Sequence, residues 1–305
     1  SSSSSFGRNL KVSHHPDYFL PLPDGHPFPM VKYTLVYDRL RAAGLLPAER
    51  MMIPEEVARA DLERVHTKAY LDRLFGPGLS AAEVRALGVP WSPRLLRRSR
   101  LATQGTLLAA RAALEEGRGG NLAGGTHHAF ADHGEGFCVL NDVAVAIRAL
   151  QNEKKISRAL VVDLDVHQGN GTAAIFEGDA SVFTFSVHGE RNYPARKMRS
   201  SLDVGLPDGT DDATYLQVLQ EQLPNTLQDF VPDLVFYLAG VDVAEGDRYG
   251  RFRLTEQGIR ERERTILDWA RRQGLPLVVT LAGGYSPNAL RTAILHCIVF
   301  EEAAT

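Results

Sequence analysis

The sequence VVDLDVHQGNG, residues 161–171, joins an apolar strand pattern to three ionisable side chains. Asp163, Asp165 and His167 occupy every second position of this stretch. Because side chains alternate between the two faces of a strand, these three are predicted to point one way and the intervening apolar side chains the other. Burying such groups without partners is costly. The pattern therefore predicts a cation or a hydrogen-bond network at the end of a buried strand, with a loop of solvated residues as the alternative.

The donor atoms in this stretch favour a divalent cation. Carboxylate oxygen and imidazole nitrogen, without cysteine, suit zinc or a similar ion in a catalytic site that keeps a position open for water. Asp242, at the start of the glycine-rich loop VDVAEGDRYGR, is predicted to complete the ligand set with Asp165 and His167, and its alternative role is a helix N-cap. Zinc in such a site polarises a carbonyl and lowers the pKa of a water molecule.

Composition and charge restrict the class of protein. A chain of 305 residues, 44% hydrophobic, can bury the core of a soluble globular α/β protein. The formal net charge of −3 predicts no nucleic-acid partner, and the basic run RLLRRSR (94–100) is interpreted as a solvated helix face. Two cysteines, Cys138 and Cys297, argue against a disulfide framework and indicate a cytoplasmic setting.

Neither the N-terminus nor any apolar run of the sequence predicts targeting to a membrane. No apolar stretch reaches the roughly 18 residues that a membrane-spanning helix needs, and the N-terminus does not resemble a signal peptide. The opening SSSSS indicates that residues 1–10 are a disordered tail or a remnant of cloning.

From about residue 118, short apolar runs alternate with longer amphipathic ones, which indicates parallel strands joined by helices. The predicted strands are ALVVDLDV (159–166), SVFTFSVH (181–188), DLVFYLAG (233–240) and LPLVVTLAGG (275–284). The predicted helices cover 30–44, 92–117, 141–153, 212–230, 255–273 and 287–303. Pro224 predicts a kink or break in the fourth of these helices. No repeat or long linker interrupts the pattern, so we expect a single domain over residues 11–305.

Polar residues follow the carboxyl ends of the predicted strands, where doubly wound parallel sheets bind ligands. One such group is His127 and His128, which follow two glycines in NLAGGTHHAF (121–130). Glycines permit close backbone approach, so both imidazoles can face one cavity. Beside a reacting water, two imidazoles supply a general base and an acid or electrostatic partner near neutral pH. We therefore interpret the doublet as catalytic.

Two further side chains are assigned roles at the same edge. Asp163 is predicted to fix the tautomer and orientation of one of the two histidines through a hydrogen bond. Tyr285 follows Gly283 and Gly284 at another strand end, and its hydroxyl is predicted to donate to the oxyanion that develops when water attacks an amide carbonyl. The alternative for Tyr285 is an aromatic residue of the core.

Four ordered segments resemble the signature segments of the zinc-dependent histone deacetylase family. They are GGTHHAFADHGEGFCVLND (124–142), VVDLDVHQGNG (161–171), AGVDVAEGDRYGR (239–251) and LAGGY (281–285), and the similarity runs from about residue 14 to the end. HPFPMVKY (26–33), DLERVHTKAYL (61–71), DVHQGNG and EGDRYG are similar in particular to the class IV type and its bacterial relatives.

The resemblance implies an arginase-deacetylase fold, with a central parallel sheet of about eight strands flanked by helices. It implies one zinc ion per chain on Asp165, His167 and Asp242, catalytic roles for His127, His128 and Tyr285, and a place for Phe137 in the wall of an acyl-lysine tunnel. A potassium site is further implied at Asp163, Asp165, His167, Ser186 and Val187.

Two positions depart from the family pattern. Asn170 stands where class I relatives have an aspartate behind the second histidine, so the protonation of His128 cannot be copied from that class. Ala282 replaces the first glycine of the run before Tyr285, which leaves the mobility of this loop open.

These observations predict a zinc-dependent hydrolase that removes an acyl group from the ε-nitrogen of lysine in proteins or peptides. The alternatives are a deacylase of acetylpolyamines or other small amines and, from another class, a non-catalytic acyl-lysine binder. The class IV resemblance raises the hypothesis of a preference for long acyl chains. The sequence does not decide the physiological substrate or the oligomeric state.

Overall fold

The structure is a computed structural model that describes residues 10–305, so the predicted tail lies, except for Leu10, outside the described residues. In this part of the chain one parallel sheet of eight strands has the order β2-β1-β3-β8-β7-β4-β5-β6. The strands are β1 Lys11–Ser13, β2 Met51–Met52, β3 Arg118–Asn121, β4 Ala159–Asp163, β5 Val182–Gly189, β6 Leu202–Leu206, β7 Leu234–Leu238 and β8 Leu277–Thr280. The arginase-deacetylase α/β fold expected from the resemblance is confirmed.

Helices connect the strands and cover both faces of the sheet. The α-helices are α1 Val31–Ala42, α2 Arg59–Leu62, α3 Lys68–Phe75, α4 Ala81–Leu87, α5 Pro93–Glu116, α6 Asp142–Asn152, α7 Asn170–Phe176, α8 Asp212–Gln222, α9 Glu256–Arg272 and α10 Ala289–Ala303. Short 3-10 helices cover Pro16–Tyr18, Ala48–Arg50 and Leu223–Leu227. Each of the six predicted helices is present, and the predicted break at Pro224 separates α8 from the last 3-10 helix.

Local sequence explains where the longest helix begins and ends. The Ser92 side chain accepts a hydrogen bond from the Leu95 backbone N–H, and Pro93 occupies the first turn, where its missing N–H has no cost. Gly117 ends the helix with φ 94°, a left-handed conformation that favours glycine. These capping residues fix the boundaries of α5, which supports the strand next to it in sequence.

The strands are buried on both faces, as in other parallel sheets. Along β4, Leu160 and Val162 pack into one core cluster, whereas Ala159 and Val161 pack into a second. The first cluster includes residues of α1, α9 and α10, and the second includes residues of α5 and α6. Helices therefore exclude water from both faces and leave only the strand ends for polar chemistry.

Two interpretations of local sequence need correction. The predicted strand 159–166 ends at Asp163, because the chain turns there to bring the following polar residues to the edge of the sheet. Arg98 of the supposedly solvated RLLRRSR face is buried: its Nε donates to the Tyr18 carbonyl at 2.6 Å, and its guanidinium lies 4.6 Å from the centre of the Tyr33 ring. This arginine faces the N-terminal segment, which packs on α5.

The sequence pattern also missed β1, β2, β3 and β6. Strand β3 has the sequence RGGN, which lacks the β-branched residues typical of strands. A Cβ atom at Gly119 would lie 2.1 Å from the Ala109 carbonyl oxygen, so β3 can pack directly on α5 only with glycine at this position. Cys138 and Cys297 are both buried and unpaired, as expected without a disulfide framework.

Candidate active site

The predicted catalytic and metal-binding residues lie at the carboxyl ends of four adjacent strands. Strands β3, β8, β7 and β4 are neighbours in that order. His127 and His128 follow β3, Tyr285 follows β8, Asp242 follows β7, Asp163 ends β4, and Asp165 and His167 come after it. The parallel topology therefore brings together residues that are up to 158 positions apart, from His127 to Tyr285.

Asp165, His167 and Asp242 form a buried group whose ligand atoms all lie within 4.8 Å of one another. His167 Nδ1 lies 3.1 Å from Asp165 Oδ1 and 3.1 Å from Asp242 Oδ2. Backbone N–H groups hold the opposite oxygens: Gly283 donates to Asp165 Oδ2 at 2.7 Å, and Val166 donates to Asp242 Oδ1 at 2.9 Å. Asp242 thus lies among the other two side chains and not at a helix N-terminus.

The electrostatics of this group suit a cation. Burial opposes the charged form of His167, but hydrogen bonds to Asp165 and Asp242 raise its pKa to about 10, so the imidazole shares a proton with two carboxylates. A divalent cation takes the place of such a proton when it binds. The oxygen, nitrogen, oxygen donor set and its close spacing therefore fit a metal ion.

Glycine is required where the loop after β8 crosses this group. A Cβ atom at Gly283 would lie 2.2 Å from Asp242 Oδ2 and 2.6 Å from Asp165 Oδ2. Real Cβ atoms do not approach oxygen so closely, so any other residue would push the backbone away from the carboxylates. The close approach is what allows the Gly283 N–H to hold Asp165.

His127 has a carboxylate behind it. Its Nδ1 lies 2.5 Å from Asp163 Oδ2, and its Nε2 lies 3.7 Å from Asp165 Oδ1. Burial disfavours the charged imidazole, but the charges of Asp163 and Asp165 outweigh burial and raise the pKa of His127 to about 9. The structure thus places Asp163 where the sequence expected a partner for one of the two histidines.

His128 has a neutral partner instead. Its Nδ1 lies 2.7 Å from Asn170 Oδ1, and Asn170 Nδ2 donates to Glu135 Oε1 at 2.5 Å. Because a carboxylate can only accept, the amide oxygen must face His128, whose Nδ1 then carries the proton and whose Nε2 keeps a lone pair. Burial, followed by the charges of His127 and His167, lowers the pKa of His128 well below 6.5.

Tyr285 lies against the metal-binding group. Its ring centre is 6.2 Å from that of His167 and 5.8 Å from that of Phe137. Burial, together with the nearby charges of Asp165 and Asp242, raises the pKa of Tyr285 well above 10, so the phenol stays protonated and can donate. Its backbone N–H donates to Asp247 Oδ2 at 2.8 Å, which fixes the start of its loop.

The loop before Tyr285 keeps a glycine-like backbone in spite of its alanine. Ala282 has φ 54°, in the left-handed region that glycine prefers. The fully buried Lys32 donates from Nζ to the carbonyls of Ala282 at 3.2 Å and Gly284 at 3.3 Å, and its ammonium lies 5.5 Å from the centre of the Tyr285 ring. Lys32 therefore holds the loop on both sides of Gly283.

A cavity of about 370 Å³ opens above these groups. His128, His167 and Tyr285 lie among the residues that line it, and Phe137 and Tyr193 contribute aromatic side chains to its wall. The Tyr193 ring stands edge-on to His128, with 5.0 Å between the ring centres. A cavity with aromatic walls above a polar floor suits an aliphatic chain with a reactive end.

The residues of the predicted potassium site lie on β4, on β5 and in the turn that follows β4. Asp163 and Ser186 stand opposite each other in the register of β4 and β5. Ser186 Oγ lies 2.8 Å from His188 Nδ1, and Asp163 Oδ1 accepts from the Asp165 backbone N–H at 3.2 Å. Val187 is the next residue of β5 and is buried. The potassium site stays a prediction.

Sequence reasoning missed several residues that position the site. Asp142 accepts from the backbone N–H groups of Gly125 and Thr126, both at 2.9 Å, and so orients the loop that carries the histidine doublet. Glu135, Asp247, Tyr193 and Lys32 were missed as well. Asp142 and Asp247 lie within the quoted motifs, but no spacing rule connects them to the backbone groups that they hold.

No helix among residues 10–305 is both long enough and apolar enough to cross a bilayer.

Comparison with known proteins places the chain in a family. The model of the histone deacetylase domain matches residues 26–299. An uncharacterised protein of Picosynechococcus is 45% identical over 96% of this chain and 97% of its own length. Histone deacetylase 2 of Arabidopsis thaliana is 32% identical over 90% of this chain and 73% of its own length. The crystal structure of the HDA15 HD domain superposes with a TM-score of 0.79 at 25% identity, covering 96% of this chain and 90% of that one. This chain therefore belongs to the histone deacetylase family of amide hydrolases.

Proposed function

We propose that this chain hydrolyses the amide bond of Nε-acyl-lysine with one zinc ion held by Asp165, His167 and Asp242. One observation supports the proposal. The three metal-binding side chains lie beside two imidazoles and a phenol at the floor of one aromatic cavity. When bound, zinc supplies Lewis acidity, which polarises an acyl carbonyl and lowers the pKa of a water molecule.

The two histidines divide the proton transfers. His128 is neutral, with its proton held on Nδ1 by Asn170, so Nε2 accepts a proton from the attacking water. His127 is held charged by Asp163 and supplies positive electrostatic potential and a proton for the departing amine. The neighbouring rings, with centres 4.2 Å apart, serve one reacting centre. Asp163 and Asn170 act by fixing which nitrogen carries the proton.

Tyr285 stabilises the charge that develops on the acyl oxygen. Its raised pKa keeps the hydroxyl protonated, and its loop is fixed by Asp247 and Lys32 before substrate arrives. A donor that needs no reorganisation contributes most when negative charge appears in the transition state. Phe137 and Tyr193 exclude water and pack on the aliphatic part of the acylated lysine.

A panel of substrates tests the proposal. Purified protein is assayed on acetyl-, octanoyl- and myristoyl-lysine peptides and on acetylpolyamines. We expect hydrolysis of at least one acyl-lysine peptide, and the resemblance to the class IV type leads us to expect a preference for the longer acyl groups. Hydrolysis of acetylpolyamines alone would favour the small-amine deacylase, and stoichiometric zinc with no turnover of any substrate would favour a non-catalytic binder.

A further inference from the structure

Apart from the imidazoles, two arginines carry the only ionisable charges on the cavity wall within residues 10–305. Arg191 follows β5, Arg251 lies in the loop after β7, and both line the cavity. No aspartate or glutamate of the described chain lines it. The metal-binding carboxylates Asp165 and Asp242 are fully buried and lie behind the floor. The wall that a substrate meets is therefore cationic, although the whole chain has a formal net charge of −3.

The two arginines belong to loops that are fixed to each other. Asn192 Nδ2 donates to the Tyr249 carbonyl at 2.6 Å. Asn192 is the residue after Arg191, and Tyr249 lies two residues before Arg251. The Arg251 carbonyl in turn accepts from the Gly209 N–H at 2.7 Å. The loops are therefore tied next to the points where the arginines leave the backbone, and both arginines line the same cavity.

Both guanidinium groups are available to a ligand. Arg251 Nη1 lies 3.6 Å from Asp208 Oδ2, and the Arg251 side chain is 57% exposed, so this pair contributes little. Arg191 is exposed and forms no ion pair with any residue that the structure describes. Lys197 in the same loop differs, because its Nζ already donates to the carbonyls of Asn192 and Pro194.

We propose that Arg191 and Arg251 select acylated amines that carry a carboxylate close to the acylated chain. This inference rests on the proposed hydrolysis of acyl-lysine and names the class of substrate within it. Guanidinium groups bind carboxylates through charge-assisted and often paired hydrogen bonds. The carboxylate is supplied either by an acidic residue beside the acyl-lysine in a peptide or by the α-carboxylate of free Nε-acyl-lysine.

The same charges disfavour polyamines. An acetylpolyamine keeps at least one ammonium group at neutral pH and would have to bring it past two arginines, of which only Arg251 has a carboxylate, the exposed Asp208, nearby. Like charges placed opposite each other discriminate against such a ligand. The cavity wall therefore separates the two substrate classes that the catalytic groups alone do not separate.

The experiment compares kcat/KM for matched substrate pairs, all with the acyl group that is hydrolysed fastest. One pair of acyl-lysine peptides differs only by Asp or Asn next to the lysine, and a second pair is free Nε-acyl-lysine and its α-carboxamide. In at least one pair we expect the carboxylate to raise kcat/KM about five- to twentyfold, the effect of two partly exposed charged contacts. The preference should decrease as ionic strength rises.

Variants assign the preference to the two side chains. The double change Arg191→Gln and Arg251→Gln should bring the ratio of kcat/KM within the preferred pair to about one, as removal of both attractive charges requires. Arg199→Gln is the matched control: Arg199 is an exposed arginine that follows Arg191 in sequence but does not line the cavity, so the preference should persist. Thermal melting checks that all variants are folded.

The pair that shows the preference identifies the source of the carboxylate. Equal kcat/KM within both pairs for the unmodified protein, or a preference that survives the double change, would overturn the inference while leaving acyl-lysine hydrolysis intact. Faster hydrolysis of acetylspermidine than of every carboxylate-bearing substrate would also overturn it. No turnover of any substrate would reject the proposed function itself, and the inference with it.

Discussion

His127 and His128 are neighbours in one loop and are equally buried, with 4% and 5% of their surface exposed, yet they have opposite protonation. Behind His127 lies the carboxylate of Asp163, which raises the imidazole pKa to about 9 against the effect of burial. Behind His128 lies the amide of Asn170, and the pKa is lowered well below 6.5. Burial is alike for the two rings, so the charges around them, Asp163 and Asp165 at His127 and the two neighbouring imidazoles at His128, separate an acid from a base at this site.

A third buried histidine shows what burial does on its own. His66 lies away from the cavity, with Nδ1 3.3 Å from the Ala131 carbonyl and Nε2 accepting from the Asn141 backbone N–H at 3.1 Å. With only neutral partners, burial lowers its pKa to about 4. His128 resembles His66, and His127 is the exception that a carboxylate creates.

The largest effect on kcat is expected for Tyr285, whose role does not depend on either histidine. Tyr285→Phe keeps the ring and removes only the hydroxyl. Loss of one such donor typically costs about 2.7 to 4 kcal/mol, or roughly a hundred- to a thousandfold in kcat. The donation strengthens as charge develops, so KM should change little.

The pH profile of kcat/KM provides the control for Tyr285→Phe. Both of its limbs should stay where they are in the unmodified protein, because the protonation of His127 and His128 is set by Asp163 and Asn170. Turnover at the unmodified rate would show that Tyr285 is an ordinary packing residue.

Asp163→Asn should abolish the difference between the two histidines. An asparagine has one acceptor oxygen for the two donors that Asp163 satisfies, His127 Nδ1 and the Asp165 backbone N–H. Loss of the charge lowers the pKa of His127, so the alkaline limb of the kcat/KM profile should move to lower pH. Loss of such a supporting partner typically costs about 10- to 100-fold in activity. An unchanged alkaline limb at full zinc content would contradict the role given to His127.

Asn170→Asp tests the other histidine, but only in combination with Glu135→Gln. The introduced carboxyl group would face the Glu135 carboxylate, which lies 2.5 Å from the amide nitrogen that is replaced, and the two carboxyl groups would share a proton. With Glu135→Gln, the introduced carboxyl group can ionise and raise the pKa of His128. The acid limb of kcat/KM should then move to higher pH.

The single change Asn170→Asp is the matched control, and it should move the acid limb less than the double change does. A limb that stays fixed in both variants would mean that His128 is not the base.

His66 should affect stability and leave the chemistry unchanged. Its pKa is about 4 in the folded protein and 6.5 when unfolded, so protonation favours the unfolded chain and stability falls as pH decreases from 6.5 to 4. This difference corresponds to about 3 kcal/mol. Measured by urea unfolding, the stability advantage of the unmodified protein over His66→Gln should shrink by about 2.5 kcal/mol between pH 7.5 and pH 4.5, because the full difference is reached only below pH 4. A constant difference would show that His66 is not held neutral.

The sequence predicted this site better than it predicted the sheet around it. Asp163, Asp165 and His167 alternate in the sequence, at the end of β4 and in the turn after it, and parallel topology then places Asp242 and Tyr285 beside them. The strand β3 could not be recognised, because RGGN lacks β-branched residues, and its Gly119 is explained only by the close approach of α5. Asn170 was noticed as a departure, but Glu135, which orients its amide, depends on a contact across 35 residues that no local pattern reveals.

Zinc content tests the central claim most directly, namely that Asp165, His167 and Asp242 hold a catalytic zinc ion. Elemental analysis after dialysis should find about one zinc per chain in the unmodified protein and little in Asp242→Ala, with acyl-lysine hydrolysis lost in parallel. Asp211→Ala is the matched control, since Asp211 is a helix N-cap that accepts from the Thr214 N–H at 3.0 Å, and its loss should cost about 1 kcal/mol of stability and no zinc. Full zinc content in Asp242→Ala, or hydrolysis that survives complete removal of metal, would contradict the account.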